Sequence, residues 1–180
     1  MYMRLINTLA ATAALALFAT PAFAQSTPGT DTATAEARGL VLQPLTLTKV
    51  TDLDFGTILA STVAGTVTIN ADTGNRSVTG GITQVASNAG SRATFAGAGT
   101  PAQRVVLTLA PPTGNLLVST SNVADTIAVS SMVFDTANTT TRTIGTDGTF
   151  LVGVGGTFTI AANQPNGLYK ADFNVTADYQ

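Results

Sequence analysis

From Leu45 onward, apolar residues fall at every second position in short runs separated by turn-forming residues. The clearest run is the last one, "LYKADFNVTADY". There Tyr169, Ala171, Phe173, Val175, Ala177 and Tyr179 alternate with Lys170, Asp172, Asn174, Thr176 and Asp178. A two-residue period predicts a β-strand with one buried and one wet face, because successive side chains of an extended chain point to opposite sides. At about 3.4 Å per residue, one unbroken strand over those positions would run roughly 37 Å, the height of a sandwich domain.

Similar runs precede it. "PLTLTKV" sets Leu45, Leu47 and, at the same period, Lys49 against threonines; "LDFGTIL" follows; "GTVTIN" puts Val67 and Ile69 on one side. Then come "RSVTG", "ITQVA", "RATFAG", "QRVVLTLA", "NLLVST", "IAVSSMVFD", "TRTIG" and "GTFLVGVGGTFTI". "ADTGN" at 71–75, "PPTGN" at 111–115 and "GTDG" at 145–148 have turn chemistry, supplied by Gly, Pro, Asn and Asp. No window after Gly39 shows an apolar period of 3.6. The pattern predicts an all-β fold, an antiparallel immunoglobulin-like β-sandwich, rather than repeated strand-helix units.

The N-terminus is different. One positive charge at Arg4, an apolar run over Leu9–Ala19, a break at Pro21 and the triplet Ala22-Phe23-Ala24 form the layout of a secretory signal peptide over residues 1–24. An apolar run of about a dozen residues is too short to span a bilayer. Of 180 residues, 156 then remain, enough for one domain with a real core. The expected organisation is a signal helix at 1–24, a flexible polar leader at 25–39 and a single domain at 40–180. Within the leader, Ala33, Ala35, Ala37, Gly39 and Val41 alternate with Thr34, Glu36, Arg38 and Leu40. Such a stretch would become a strand if a sheet edge were offered to it. Export to the periplasm, the outer surface or the medium is expected, with no membrane span in the mature form.

Composition narrows the chemistry. The chain has no histidine and no cysteine, which removes imidazole bases, the usual hydrolytic triads, thiol nucleophiles, most zinc sites and disulfides. Eight basic and ten acidic residues are dispersed, with no basic patch to neutralise phosphates, so nucleic acid is not an expected partner. Asp52 and Asp54 in "TDLDF" share one face of a strand, a spacing a carboxylate hydrolase or a hard cation would use. The plainer reading leaves them on the wet side while Leu53 and Phe55 point inward. Asp72 or Asp147 at a turn could meet calcium, but the acid spacing of a calcium loop is missing. Gly153, Gly155 and Gly156 lack the Lys-Ser or Lys-Thr that would make a phosphate loop, and are read as a strand bend or bulge. No catalytic, cofactor or metal residue is expected, and no enzyme activity.

The segments "PLTLTKVTDLDFGTI", "GTVTINADTGNRSVTGGI" and "VGGTFTIAANQPNGLYKADFNVTADY" resemble a family of secreted bacterial β-domain proteins known as domain of unknown function 4402. A more distant likeness is to fimbrial (pilin-type) and spore-coat-type secreted β-sandwich proteins. The resemblance implies an exported, non-enzymatic structural or adhesive protein of a Gram-negative bacterium. By likeness to pilins, Tyr169–Tyr179 would form a core strand beside a groove, with Tyr179 as the penultimate aromatic. Partners so implied are the chain itself, through strand-mediated assembly, or other surface proteins. The alternatives are a carbohydrate-binding module, although Tyr169 and Tyr179 are both assigned inward, and a pilus subunit whose 30–41 leader donates a strand.

Overall fold

The computed structural model describes Gly29 and residues 32–180. The expected signal peptide at 1–24 lies outside the described residues, and so does part of the expected leader. Residues 32–41 have no regular secondary structure and are exposed throughout, with one ion pair of 2.6 Å between Arg38 and Glu36.

Leu40–Gln180 is one compact unit and an antiparallel β-sandwich. Its strands are β1 (Thr46–Thr51), β2 (Ile58–Leu59), β3 (Gly65–Ile69), β4 (Arg76–Val78), β5 (Thr83–Gln84), β6 (Ala93–Ala98) and β7 (Arg104–Ala110). They continue with β8 (Leu116–Ser119), β9 (Thr126–Phe134), β10 (Thr141–Thr143), β11 (Thr149–Ile160), β12 (Tyr169–Lys170) and β13 (Asn174–Tyr179). The large sheet runs β1-β6-β11-β9-β8-β12, with β3 also on β11 and β4 on β3; β10-β7-β13 forms the facing sheet and β2-β5 a small flap.

β11 is the hub. One of its edges pairs first with β6 (Thr149–Val154) and then with β3 (Gly156–Ile160), while β9 takes the other edge from Val154 to Thr159. Alternation along it buries Phe150, Val152 and Val154 in one cluster, and Phe158 and Ile160 in another. The larger cluster adds Ala93, Phe95, Val105, Leu107, Phe134 and Ile144 between the two sheets. The smaller adds Val67, Ile82 and Ile127, with Phe55, Ile58 and Tyr169 packed against it. Each such aliphatic or aromatic side chain contributes about 1.5–3 kcal/mol by leaving water.

Gly155 and Gly156 lie between the two clusters, and Gly153 within the first, between Val152 and Val154. They are neither bend nor bulge, because β11 is continuous across them. The bulge is on the partner strand β9, where Ser130 is skipped between Ser131 and Val129. The glycines admit a close crossing: a Cβ on Gly155 would lie 2.3 Å from the Ile69 carbonyl oxygen and 2.5 Å from the Ala71 nitrogen. The end of β3 thus folds over bare backbone.

The expected final strand keeps its alternation but is not one strand. Tyr169, Ala171, Phe173, Val175, Ala177 and Tyr179 are half-buried and the five residues between them exposed. However, β12 pairs with β8 in the large sheet and β13 with β7 in the facing sheet. The cause lies in its neighbour. β7 and β8 are separated by the turn at Pro111–Asn115, so the chain changes sheets there, and the terminal segment following it must break over Ala171–Phe173. Lys49 keeps the expected register, opposite Phe95, but is exposed and pairs with Asp52 at 2.5 Å.

Candidate functional site

The carboxylates singled out from the sequence serve the backbone. Asp52 and Asp54 are exposed while Leu53 and Phe55 are half-buried. Asp54 Oδ1 accepts from the Gly56 amide at 2.7 Å, closing a local turn. Asp72 Oδ1 accepts from the Thr136 amide at 2.6 Å. Asp147 Oδ2 accepts from the Thr149 hydroxyl at 2.7 Å and its Oδ1 from the Thr149 amide at 3.0 Å. These bonds favour the charged form, so the Thr149 hydroxyl first, and then its amide, hold the Asp147 carboxyl below its ordinary value. The structure does not bring these acids together; among the described residues, no three or more acids cluster as a metal site.

Two features of the backbone stand out instead. The first is the seam between β1 and β13. β1 pairs only with β6 and β13 only with β7, so each carries one edge without a strand partner. Leu45, Leu47 and Leu53 on one side of the seam, and Phe173, Val175, Ala177 and Tyr179 on the other, are partly buried against the large core. Phe173 meets Phe95 edge to face, centroids 6.1 Å apart. Tyr179 fastens one end: its hydroxyl donates to the Gln43 carbonyl and accepts from the Thr100 amide, both at 2.8 Å. Unpaired edges beside apolar side chains are where an added strand gains both hydrogen bonds and burial.

The second is a cleft at the level of the β11 glycines. β7 pairs with β10 over Arg104–Val106, and β8 with β9 over Leu116–Val118. Between these zips the two ribbons part, and Leu107–Asn115 and Val129–Thr140 enclose a cleft of about 480 Å³. Its floor is Leu107, Leu109, Val129, Met132 and Phe134; its rim includes Thr108, Asn115, Ser130, Ser131, Asn138 and Thr140.

One end of that rim is strained. Thr136, Ala137 and Asn138 are consecutive residues at φ of 54°, 54° and 60°, a left-handed turn that costs L-residues about 1–2 kcal/mol each. Side chains hold it in place. Besides the Asp72 contact, Asn138 Oδ1 accepts the Phe134 amide at 3.0 Å, and Asp135 pairs with Arg142, their side chains only 17% and 12% exposed. Arg142 also donates to the Thr139 and Thr141 carbonyls, at 2.6 and 2.9 Å. Nothing in the sequence marked this turn, because "DTAN" carries no glycine to announce a positive φ.

Residues 45–179 match the family model described as "Domain of unknown function (DUF4402)". The chain belongs to that family. No curated protein and no solved structure matches the chain. The DUF4402 match spans every strand from β1 to β13, so the seam, the cleft and the left-handed turn all lie inside the family domain. Among its described residues, no helix is long and apolar enough to cross a membrane.

Proposed function

We propose that this DUF4402 domain is an exported, non-enzymatic structural module of the cell surface that assembles with copies of itself by strand addition at the seam between β1 and β13. One observation carries the reading: both flanking strands have an unpaired edge, and a row of half-buried apolar side chains lies between them. Supporting it is the segment 32–41, an exposed stretch without secondary structure in which small residues alternate with polar ones. Alanine and glycine at Ala33, Ala35, Ala37 and Gly39 suit a shallow seam whose side chains are already partly covered. The polar face, with Thr34, Glu36 and Arg38, would stay in water.

The test compares the native protein with a deletion of residues 30–38 by electron microscopy and light scattering. Filaments or higher oligomers in the native sample, lost in the deletion, are expected. A native protein that stays monomeric at every concentration, or assemblies indifferent to the deletion, would refute strand addition.

A further inference from the structure

We infer that the cleft between β7 and β9 is a binding site for a neutral, polyhydroxylated ligand of one or two sugar rings. The argument is independent of assembly at the seam. Topology decides first against a peptide. The cleft is shut at one end where the Leu107 amide donates to the Thr140 carbonyl at 2.7 Å, and at the other where Leu116 pairs with Ala128. An extended strand needs a groove open at one end or both; a compact ring does not. The seam between β1 and β13 is crossed at one end by the Tyr179 hydroxyl on the Gln43 carbonyl, but no pairing between its two strands shuts the other end, which is why the two places call for different occupants.

Chemistry decides next. No lining residue is charged, so neither an anion nor a metal ion finds a counter-charge there. The rim instead offers hydroxyls from Thr108, Ser131 and Thr140 and the amide of Asn115, groups that donate and accept alike; the Ser130 hydroxyl is already shared with Thr159 at 2.7 Å and Asn138 Oδ1 with the Phe134 amide. Beyond the β7–β10 and β8–β9 zips, the facing edges of β7 and β9 add main-chain groups without a strand partner. Below them the apolar surface that a ligand can reach comes from Leu109, Pro111 and Met132, backed by the buried Leu107, Val129 and Phe134. An apolar floor under a neutral hydrogen-bonding rim matches a pyranose, which has one face of C–H groups and an equator of hydroxyls. A volume of about 480 Å³ is within the usual span of small-ligand sites, about 300–1,000 Å³.

The left-handed turn supplies a second observation. Thr136–Asn138 is held in an unfavourable conformation by Asp72, by the Asp135–Arg142 pair and by the Asn138 side chain on the Phe134 amide, and Asn138 belongs to the cleft rim. Strain kept up by surrounding bonds is a recurrent mark of ligand clamps.

The experiment titrates the full chain, labelled for amide NMR, with maltose, cellobiose, lactose and chitobiose, with glucuronate as a charged control. Shifts confined to 107–115 and 129–140 are expected with at least one neutral disaccharide, and weaker or none with glucuronate. Thr108→Val with Ser131→Ala, two exposed positions that leave the core untouched, should weaken that affinity about tenfold, and Ser131→Phe should abolish it by filling the cleft. Dispersed amide spectra of both variants establish that they fold. No shift with any neutral sugar, shifts centred on β1 and β13, equal binding of glucuronate, or affinity indifferent to the variants would each overturn the assignment.

Discussion

The two cores of the domain are built on the same central strand and held by different means. Around Phe150, Val152 and Val154, two full sheets face each other, and burial of Phe95, Val105, Leu107, Phe134 and Ile144 between them suffices. Around Phe158 and Ile160 the large sheet has no full partner; what covers it is the flap of β2 and β5, two residues each. Strands that short supply few ladder bonds. A guanidinium fills the gap: Arg76 Nη1 donates to the carbonyls of Phe55, Thr57 and Asn88 at 3.0, 3.0 and 2.9 Å, and its Nη2 to Val85 at 3.0 Å. Phe55 then meets Phe158 edge to face, centroids 4.3 Å apart. Where apolar area is scarce, one cation gathers the carbonyls that a longer strand would have paired. Its own Nε is left buried without a partner, the cost of using a charge as a staple.

The harshest way to break the comparison is at the crossing both cores share. Gly155→Ala would drive a methyl group into the Ile69 carbonyl and the Ala71 amide, rigid backbone on both counts. It should destabilise the domain by about 3–5 kcal/mol, with both halves unfolding together in thermal melts by circular dichroism. A variant that melted like the wild type would mean that the β3 crossing gives way easily. Arg76→Met is the sharper cut. It removes four carbonyl contacts from the small core and none from the large one, for a loss of about 2–3 kcal/mol. Amide hydrogen exchange should show Phe55–Leu59 and Ile82–Asn88 losing protection while Phe95, Val105 and Phe150 keep theirs. Uniform loss across both regions would show that the cores are not separable.

What could be read from the sequence divides along the same line. Strands β6, β7, β9 and β11 follow from alternation alone, since both sheets are long enough there for periodicity to govern burial. The wet placement of Asp52 and Asp54 was legible too, although neither lies in a named strand, because Leu53 and Phe55 pack against the two cores. The flap did not: "LDFGTIL" was expected as a strand, yet only Ile58–Leu59 is one, because Gly56 at φ 73° turns the chain and Arg76, far off in sequence, takes up its carbonyls. The break in the last strand at Ala171–Phe173 was equally hidden, being imposed by a turn in β7–β8 some sixty residues earlier. The seam was half legible. Its apolar rows could be counted, whereas the missing partner of each edge is a property of the sheet order. The cleft has no local signature at all, since its lining comes from two segments whose parting depends on pairings at both ends.

The smallest effect separates the cores by pH. The hairpin 145–149 that leads Ile144 into Phe150, both in the large core, is closed by the Gly145 amide donating to the Thr149 carbonyl at 2.8 Å and by the two Asp147–Thr149 bonds. Because those bonds depress the Asp147 carboxyl in the folded chain below its ordinary 3.8, the unfolded chain takes up the proton more readily. The stabilisation is therefore fully present above that ordinary value and fades as pH falls through the lower folded one. Asp147 is exposed, so solvent screens the effect and it stays slight. Exchange of the Gly145–Thr149 amides should quicken in that acid range relative to the intrinsic rate, and Asp147→Asn, which cannot ionise, should remove the pH dependence without touching the flap around Arg76. If the flap loosened with acid as much as the hairpin does, the carboxylate at Asp147 would not be the group responsible.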